Sequence, residues 1–253
     1  MNTVQLGPRL AIVLVVITIA AALVVQFGGL GDGRATAVAA IRATVQLAGV
    51  SAIILFVLRS LLLTFAFLLL MVAVAAGTAT HRISGSFRGA GWWSAVPIVV
   101  GVAPVVGLIL ASGAVPLHPV AVLPTAGILI GNSMVATSLA GRRLGEELLT
   151  RRGEYEAALS IGLPRRQSVH LVARPAAAIA LIPGMDQTRT VGVVTLPGAF
   201  IGVLLAGASP WQAGATQLMV LIGLLLVQSL AVLVTVELVA SGRLPAGSVL
   251  LTE

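Results

Sequence analysis

The stretch Arg142–Pro175 reads RRLGEELLTRRGEYEAALSIGLPRRQSVHLVARP and stands apart from the sequence around it. Eight of the fifteen arginines and five of the eight acidic residues lie between Arg142 and Arg189, while the remainder of the chain is largely apolar. A soluble domain carries about 25% charged residues, whereas charged residues make up 9% of this chain and hydrophobic residues 58%. One charged segment set among long apolar runs predicts an all-α polytopic membrane protein.

Seven apolar runs are predicted to span the membrane, with the charged segment 141–190 as a two-helix cytoplasmic loop between the fifth and sixth. The runs are 10–27, 38–58, 61–78, 96–112, 120–139, 191–205 and 215–239. The whole chain, 1–253, is accordingly predicted to be a single transmembrane permease domain. If the N-terminus lies outside, only Arg9 and Arg59 fall on the outer side, and the other thirteen arginines (fifteen minus two) fall inside. The positive-inside rule therefore predicts an outer N-terminus and a cytoplasmic C-terminus.

The types of charged residue exclude two classes of protein. The arginines flank apolar runs and form no basic face with interleaved aromatic residues, which argues against nucleic-acid binding despite a net charge of +7. The chain has no lysine, and a Walker A loop needs a lysine to reach the nucleotide phosphates. We therefore expect no ATP or other cofactor on this chain, so any ATP must bind to a partner subunit.

The first half of the charged segment has the pattern of an amphipathic helix. Residues 144–161 place Glu147 four residues before Arg151, and Arg152 four residues before Glu156. Charges at this spacing face each other on a helix, and each pair contributes about 0.3–0.5 kcal/mol. We expect two ion pairs along this helix.

The second half of the segment predicts a turn and another helix. Gly162 stands where a left-handed residue usually ends a helix. A second, basic helix is expected to begin near Arg165, to bend or break near Pro175 and to end at Pro183-Gly184. An alternative is that this segment lies on the membrane surface, with its arginines reaching towards anionic lipid.

This segment resembles the docking loop through which ABC permeases bind their ATPase. The family pattern is Glu-Ala-Ala, three residues, Gly, nine residues, then Ile-x-Leu-Pro. In this sequence Val172 occupies the isoleucine position and Pro175 the proline position of the pattern. Arg174 occupies the position where leucine is usual, which is a departure from the pattern. The resemblance implies that six residues couple the chain to an ATPase. They are Glu156, Ala157, Ala158, Gly162, Arg165 and Arg166.

Three further stretches resemble the FetB-like family of ABC permeases, which are described as iron exporters. They are IRATVQL at 41–47, PTAGILIGNSMVATSLAGRR at 124–143 and PGMDQTRTVGVVTLPGAFIGVLLAGASP at 183–210. The resemblance implies a metal-exporting permease subunit in the bacterial inner membrane. It also implies a homodimer in the bilayer, in which each copy binds a separate cytosolic ATP-binding subunit.

Paired proline and glycine positions in the fifth and sixth spans indicate where a substrate passes. Pro124 with Gly127 and Gly131, and Pro197 with Gly198 and Gly202, are typical of discontinuous helices whose freed backbone groups line a pathway. Glycines at four-residue spacing also allow close helix packing, and this alternative stays open. The candidate pathway residues are Arg42, Gln46, Asn132, Ser133, Met134, Thr195 and Pro197. For Arg42, near the cytoplasmic end of its span, the alternative is a side chain that extends to the membrane surface.

The remaining polar residues predict little chemistry. No histidine, aspartate or glutamate cluster has the spacing of a metal site within a span, so any metal ligands are unknown. Gln217 and Gln228 are expected to form helix–helix hydrogen bonds, and Glu237 to mark a helix end. A gradient-driven secondary transporter or channel is the alternative function, but such proteins usually carry carboxylates inside the membrane, and Glu237 is the single candidate here.

Overall fold

The computed structural model describes residues 7–86 and 91–245, which form ten α-helices and two short 3-10 turns. The helices are α1 Pro8–Phe27, α2 Gly33–Val57, α3 Leu61–Ser84, α4 Ala95–Ala111, α5 Pro119–Thr150, α6 Arg152–Ser160, α7 Arg165–Ala177, α8 Ile182–Thr190, α9 Gly198–Leu205 and α10 Pro210–Ala240. The 3-10 turns are Gly91–Ser94 and Ala178–Leu181.

Helices α1 and α2 form a hairpin in the first of two compact units, which ends at Arg59. The side chain of Asp32 caps α2 by accepting a hydrogen bond from the Arg34 amide at 2.8 Å. Gln26 Oε1 accepts another from the Gly33 amide at 3.0 Å, which closes the turn. No residue of α1 is buried within the chain, as expected of a helix whose apolar surface is covered by lipid.

Helices α5 and α10 form the centre of the second unit, which begins at Ser60. Helix α5 packs against α3, α4, α7 and α10, and α10 also packs against α4, α8 and α9. Leu129 on α5 and Leu221 on α10 are fully buried. Small residues at the contacts, such as Ala140 and Ala231, let the helix backbones approach closely, as is usual in membrane bundles.

Seven helical segments of the described chain are long and apolar enough to cross a membrane, but the sixth differs from the expected one. It is Arg165–Thr190, made of α7, the 3-10 turn and α8, with a mean hydropathy of 1.3 over its most apolar part. It runs antiparallel to α10, since His170 lies beside Glu237 near one end and Gly184 beside Gln228 further along. The expected sixth span at 191–205 is therefore wrong, because the only helix in that region is the eight-residue α9. A helix of this length is about 12 Å long, whereas the hydrocarbon core of a bilayer is about 30 Å thick.

The error has a local cause at Pro183. A proline inside a helix removes a hydrogen bond and usually stops the helix, but in the first turn its missing N–H would have had no partner in any case. Pro183 occupies the second position of α8, and the helix continues to Thr190. The charged segment that links the fifth and sixth spans is accordingly short, and residues 151–164 are called the elbow below.

Pro124 does not interrupt the fifth span, contrary to expectation. It lies in the second turn of α5, which continues unbroken for 32 residues. The packing alternative is supported at Gly127, where a Cβ would lie 3.3 Å from Met71 Cε on α3. No atom comes within 4 Å of a Cβ placed on Gly131 or Gly202, so close packing does not account for these two glycines.

Candidate functional site

The elbow contains a sharp, hydrogen-bonded turn at Gly162. Its amide donates to the Leu159 carbonyl at 2.9 Å, and the Leu163 amide donates to the Ala158 carbonyl at 3.1 Å. These two bonds define a Schellman motif, and Gly162 adopts the left-handed φ of +91° that the motif requires. The predicted left-handed turn is confirmed, and any side chain with a Cβ would strain it.

Arg151 ties three helices together at the start of the elbow. Its Nη1 atom donates to the Val172 carbonyl on α7 at 3.0 Å and lies 3.5 Å from Glu147 Oε1 on α5. Its Nε atom donates to Glu154 Oε1 on α6 at 2.8 Å. The hydrogen bond from Arg151 lowers the pKa of the Glu154 carboxyl below its ordinary value. The guanidinium group, with its fixed fork of donors, therefore sets the angle between the elbow and the two spans that it joins.

The predicted ion pairs along the elbow are present. Arg152 Nε donates to Glu156 Oε1 at 2.6 Å, and Arg151 pairs with Glu147. Glu156 and Ala157 are exposed, while Ala158 is buried. The elbow thus presents an acidic residue and a small residue to the solvent and uses the next alanine to pack inward.

The two arginines predicted to couple with an ATPase contact α10 and the turn that follows it. The guanidinium of Arg165 lies over Gly242, where a Cβ would be 3.3 Å from Arg165 Cζ. Arg166 Nη2 lies 2.8 Å from Glu237 Oε2, and His170 Nε2 lies 3.1 Å from Glu237 Oε1. Glu237 is therefore more than the helix end that the sequence indicated, because it joins the sixth span to the seventh.

An open cavity of about 650 Å³ lies beside this ion pair. Arg166, His170 and Arg174 of α7 line it together with Glu237 of α10. With Gln167, four nitrogen-bearing side chains supply hydrogen-bond donors to its wall, and the Glu237 carboxylate supplies an acceptor. The sequence signal for this grouping is the four-residue spacing from Arg166 to His170 to Arg174, which places all three on one face of a helix.

Hydroxyl groups without partners lie inside the bundle. Ser133 and Thr137, one turn apart on α5, are fully buried, and neither side-chain oxygen has a hydrogen-bond partner. Gly101 of α4 faces Ser133, because a Cβ on that glycine would lie 3.3 Å from Ser133 Oγ. The pathway candidates on either side of Ser133 are Asn132 and Met134. The side-chain amide of Asn132 donates a hydrogen bond to the Ile128 carbonyl at 2.9 Å. Met134 is half-buried.

Two buried glutamines on α10 differ from the expectation. The Oε1 atoms of Gln217 and Gln228 accept no hydrogen bond, so the predicted helix–helix bonds to these oxygens are not found. Gln228 lies against Gly184, where a Cβ would be only 1.8 Å from Gln228 Oε1. The two glutamines are eleven residues apart, close to three helical turns, which places them on one face of α10. This spacing is the signal that the sequence analysis missed.

Two further candidates lie in the turn before α9. Thr195 is exposed, and Pro197 is the residue that precedes the first turn of α9. Pro197 lines a cavity of about 420 Å³ together with Gln217, whereas Ser133 does not line it. Within the second unit, the structure thus separates the predicted pathway residues into a group on α5 and a group near α9.

The other two pathway candidates belong to the first unit. Arg42 and Gln46 lie one turn apart on α2, and both are exposed within that unit. The described parts of the chain contain no group of three or more histidine, aspartate or glutamate side chains that could hold a metal ion.

The helices and their apolar surfaces define a multi-pass membrane protein. The chain belongs to the UPF0014 family, described as an uncharacterised protein family, whose model matches residues 8–242. This membership agrees with the resemblance to FetB-like proteins seen in the sequence. No solved structure matches the chain.

Several relatives are named as membrane proteins or permeases. The UPF0014 membrane protein YjkA of Bacillus subtilis is 36% identical over 187 residues, which are 72% of this chain and 74% of that protein. The UPF0014 membrane protein STAR2 of rice (Oryza sativa subsp. japonica) is 37% identical over 153 residues, 60% of this chain and 53% of that protein. The probable iron export permease protein FetB of Escherichia coli is 34% identical over 141 residues, 56% of this chain and 54% of that protein. The match thus spans about half the length of the rice and E. coli relatives.

Proposed function

We propose that this chain is the permease subunit of an ABC transporter and that a separate cytosolic subunit binds and hydrolyses the ATP. The observation that carries the proposal is the elbow, a hydrogen-bonded turn that exposes Glu156 and Ala157 and is tied to two spans by Arg151. The permease name of the E. coli relative supports it. An elbow with these contacts is suited to transmit a movement of a bound partner protein to the spans.

The contacts of the elbow provide a route by which a movement of the partner would be transmitted to the membrane spans. Arg151 connects the elbow to α5 through Glu147 and to α7 through the Val172 carbonyl. Further along α7, Arg166 and His170 hold Glu237 near the end of α10. A displacement of the elbow would therefore move the fifth, sixth and seventh spans together.

The arginine distribution supports an orientation in which the elbow is cytoplasmic. If the seven candidate spans cross the membrane in turn from an outer N-terminus, Arg9, Arg59 and Arg189 fall in outer segments of the sequence and the other twelve arginines (fifteen minus three) in inner segments. The positive-inside rule favours this orientation. In this orientation the N-terminus is outside and the C-terminus inside, in the bacterial inner membrane.

We propose a homodimer in the bilayer as the working assembly. Arg42 and Gln46 are exposed on α2 within their unit, and such side chains inside a span are costly unless they meet protein or water. A second copy of the chain would supply that contact.

We propose a metal as cargo, in keeping with the iron that the name of the E. coli relative specifies. The buried hydroxyls of Ser133 and Thr137 offer oxygen atoms of the kind that hard cations prefer. Since the described residues offer no cluster of histidine and carboxylate ligands, the cargo would cross without a fixed metal site or as a chelate.

Affinity purification in mild detergent tests the partner directly. We expect an ATP-hydrolysing subunit to co-purify, and replacement of Gly162 by valine to abolish the ATPase activity coupled to transport, because valine is strained at positive φ. The matched control is Gly113→Val, since Gly113 also has a positive φ (+71°) but lies in the turn between α4 and α5, away from the elbow. Transport by the chain alone, lost with an uncoupler and insensitive to ATP depletion, would instead establish a gradient-driven transporter.

A further inference from the structure

The arginine that departs from the docking pattern lines the open cavity formed by α7 and α10. Arg174 occupies the position where leucine is usual, and it shares the cavity of about 650 Å³ with Arg166, Gln167, His170 and Glu237. The four-residue steps from Arg166 to His170 to Arg174 place these three side chains on one face of α7. The departure from the pattern therefore falls in a cavity that is rich in hydrogen-bond donors.

The donors and acceptors in the wall of this cavity are unequally matched. Both carboxylate oxygens of Glu237 are engaged, since Oε2 lies 2.8 Å from Arg166 Nη2 and Oε1 lies 3.1 Å from His170 Nε2. Arg174 is exposed, and its side chain forms no hydrogen bond or ion pair with any residue of the described segments 7–86 and 91–245. The same holds for the exposed side chain of Gln167. The groups left for a ligand are therefore mainly donors.

The position of the cavity along the spans indicates that it lies at the membrane surface. The sixth candidate span begins at Arg165 and the seventh ends at Ala240, so the cavity lies near the end that these antiparallel spans share. The sixth span has 26 residues, which as a helix is about 39 Å long, whereas the hydrocarbon core is about 30 Å thick. Its charged first turns therefore extend into the headgroup region. Arg174 follows Arg165 by about 14 Å of helix, a depth at which a guanidinium is costly unless it reaches a counter-charge.

The charge and the shape of the wall fit a singly charged phosphodiester that carries apolar chains. Arg166 and Arg174 contribute two positive charges and Glu237 one negative charge, which leaves one positive charge (two minus one) when His170 is neutral. A guanidinium group binds phosphate oxygens through paired N–H donors. Leu171, which is 63% exposed, lines the same cavity and places apolar surface beside these donors. In other membrane proteins, basic pockets between spans bind lipid headgroups.

We propose that this cavity binds the headgroup phosphate of an anionic phospholipid. Arg174 and Gln167 donate to the phosphate oxygens, and Leu171 contacts the glycerol backbone and the start of an acyl chain. The phosphate supplies the counter-charge that Arg174 lacks within the described chain. The binding does not rest on the proposed function. Only the leaflet does, since in the proposed orientation it is the cytoplasmic one.

Native mass spectrometry of the purified, delipidated chain in a maltoside detergent tests the site. The chain is titrated with dioctanoyl phosphatidylglycerol, which carries one negative charge. Dioctanoyl phosphatidylcholine, with the same acyl chains and no net charge, is the matched lipid. Glycerophosphoglycerol, the same phosphodiester without acyl chains, is the soluble competitor. These three ligands separate an anionic lipid from any lipid and from a free phosphodiester.

Two variants test the side chains, and a third is the control. Arg174→Gln removes the charge without a partner, and Gln167→Leu removes neutral donors while the net charge is unchanged. Arg142→Gln is the matched control, because Arg142 is 58% exposed, pairs with Glu146 on its own helix and does not line the cavity. Gel filtration and the melting temperature report whether each variant folds, and the two test variants fail or succeed independently.

We expect saturable binding of phosphatidylglycerol that Arg174→Gln weakens about tenfold, as for the loss of a hydrogen bond between charged groups. Gln167→Leu should weaken it about threefold, as for a neutral hydrogen bond, and Arg142→Gln should leave it unchanged. Equal losses in Arg174→Gln and Arg142→Gln, or equal binding of the two lipids, would overturn the site. Displacement by glycerophosphoglycerol at the concentration of the lipid itself would overturn the lipid assignment in favour of a soluble phosphodiester.

A partner protein is the other occupant that these donors could bind, and co-purification distinguishes it. If Arg174→Gln leaves lipid binding unchanged but lowers the recovery of the ATP-hydrolysing subunit, the cavity belongs to the contact with that subunit and the lipid site is wrong. The lipid titration uses the chain alone. Failure of the lipid site and failure of the permease proposal therefore give different results.

Discussion

Arg166 and Glu237 form an ion pair that joins the first turn of α7 to the last turn of α10. The Nη2 and Oε2 atoms lie 2.8 Å apart, although the residues are separated by 71 positions in the sequence. Both side chains are partly exposed, 66% and 36%, and such pairs contribute at most about 1 kcal/mol to stability. The pair therefore matters more for how two spans move together than for folding.

Replacement of Glu237 by glutamine tests this role in coupling. We expect a small change in melting temperature but a clear fall in transport per ATP hydrolysed, because the neutral amide holds Arg166 and His170 less strongly. The measurement is transport and ATPase activity in liposomes that contain the chain and its co-purified partner.

The matched control for Glu237 is Glu146→Gln. Glu146 pairs with Arg142 and Arg143 on its own helix, so it joins no separate elements. An equal loss of coupling in both variants would show that charge on this face, and not the link between α7 and α10, is responsible.

The elbow should loosen in acid because of Glu154. Its pKa is lowered in the folded chain by the hydrogen bond from Arg151. A carboxylate with a lowered pKa stabilises the fold above its unfolded pKa, and this contribution is lost as the pH falls through the folded pKa. We expect the protection of the amides across residues 151–164 against hydrogen exchange, measured relative to the intrinsic rate at each pH, to fall as the pH is lowered.

Glu154→Gln provides the comparison for the acid effect. The side chain of the variant cannot ionise, so its elbow should be less protected from exchange at neutral pH, and that protection should change little on acidification. If both proteins lose the same protection in acid, the Arg151–Glu154 contact does not control the elbow.

A side chain at Gly184 should be destabilising while Gln228 is present, because Gln228 is itself buried. An alanine Cβ would lie 1.8 Å from Gln228 Oε1 inside the buried contact between α8 and α10. We expect Gly184→Ala to lower the stability by about 1–3 kcal/mol, as overpacking usually does, measured by thermal unfolding in detergent.

The double variant Gly184→Ala, Gln228→Ala should recover most of that loss, since it removes the clashing amide. Gly131→Ala is the control, because a Cβ at that helical position meets no atom within 4 Å. A single variant as stable as the unmodified chain would mean that α8 and α10 separate easily at this point.

The local features of the elbow could be predicted because they depend on short-range rules. The ion pairs Glu147–Arg151 and Arg152–Glu156 follow from i,i+4 spacing, and the left-handed Gly162 follows from its place after a helix. The number of spans could be predicted from apolar run lengths for the same reason.

The features that could not be predicted depend on contacts between distant segments. Pro183 looks like a helix end in the sequence, and only its place in the first turn of α8 makes it compatible with a longer span. The cavity that Gln217 and Pro197 both line brings together segments that each look unremarkable in the sequence.

The sequence by itself determined that this is a helical multi-pass membrane protein with one charged, sharply turned segment. Hydropathy, charge spacing and the backbone freedom of glycine each act over a few neighbouring residues. Their effects can therefore be predicted from the local sequence. Only the tertiary structure decided which segment is the sixth span, which carboxylate joins α7 to α10, and which buried amides lack partners. These outcomes depend on which helix faces pack together, because packing is set by the shapes of surfaces far apart in the chain.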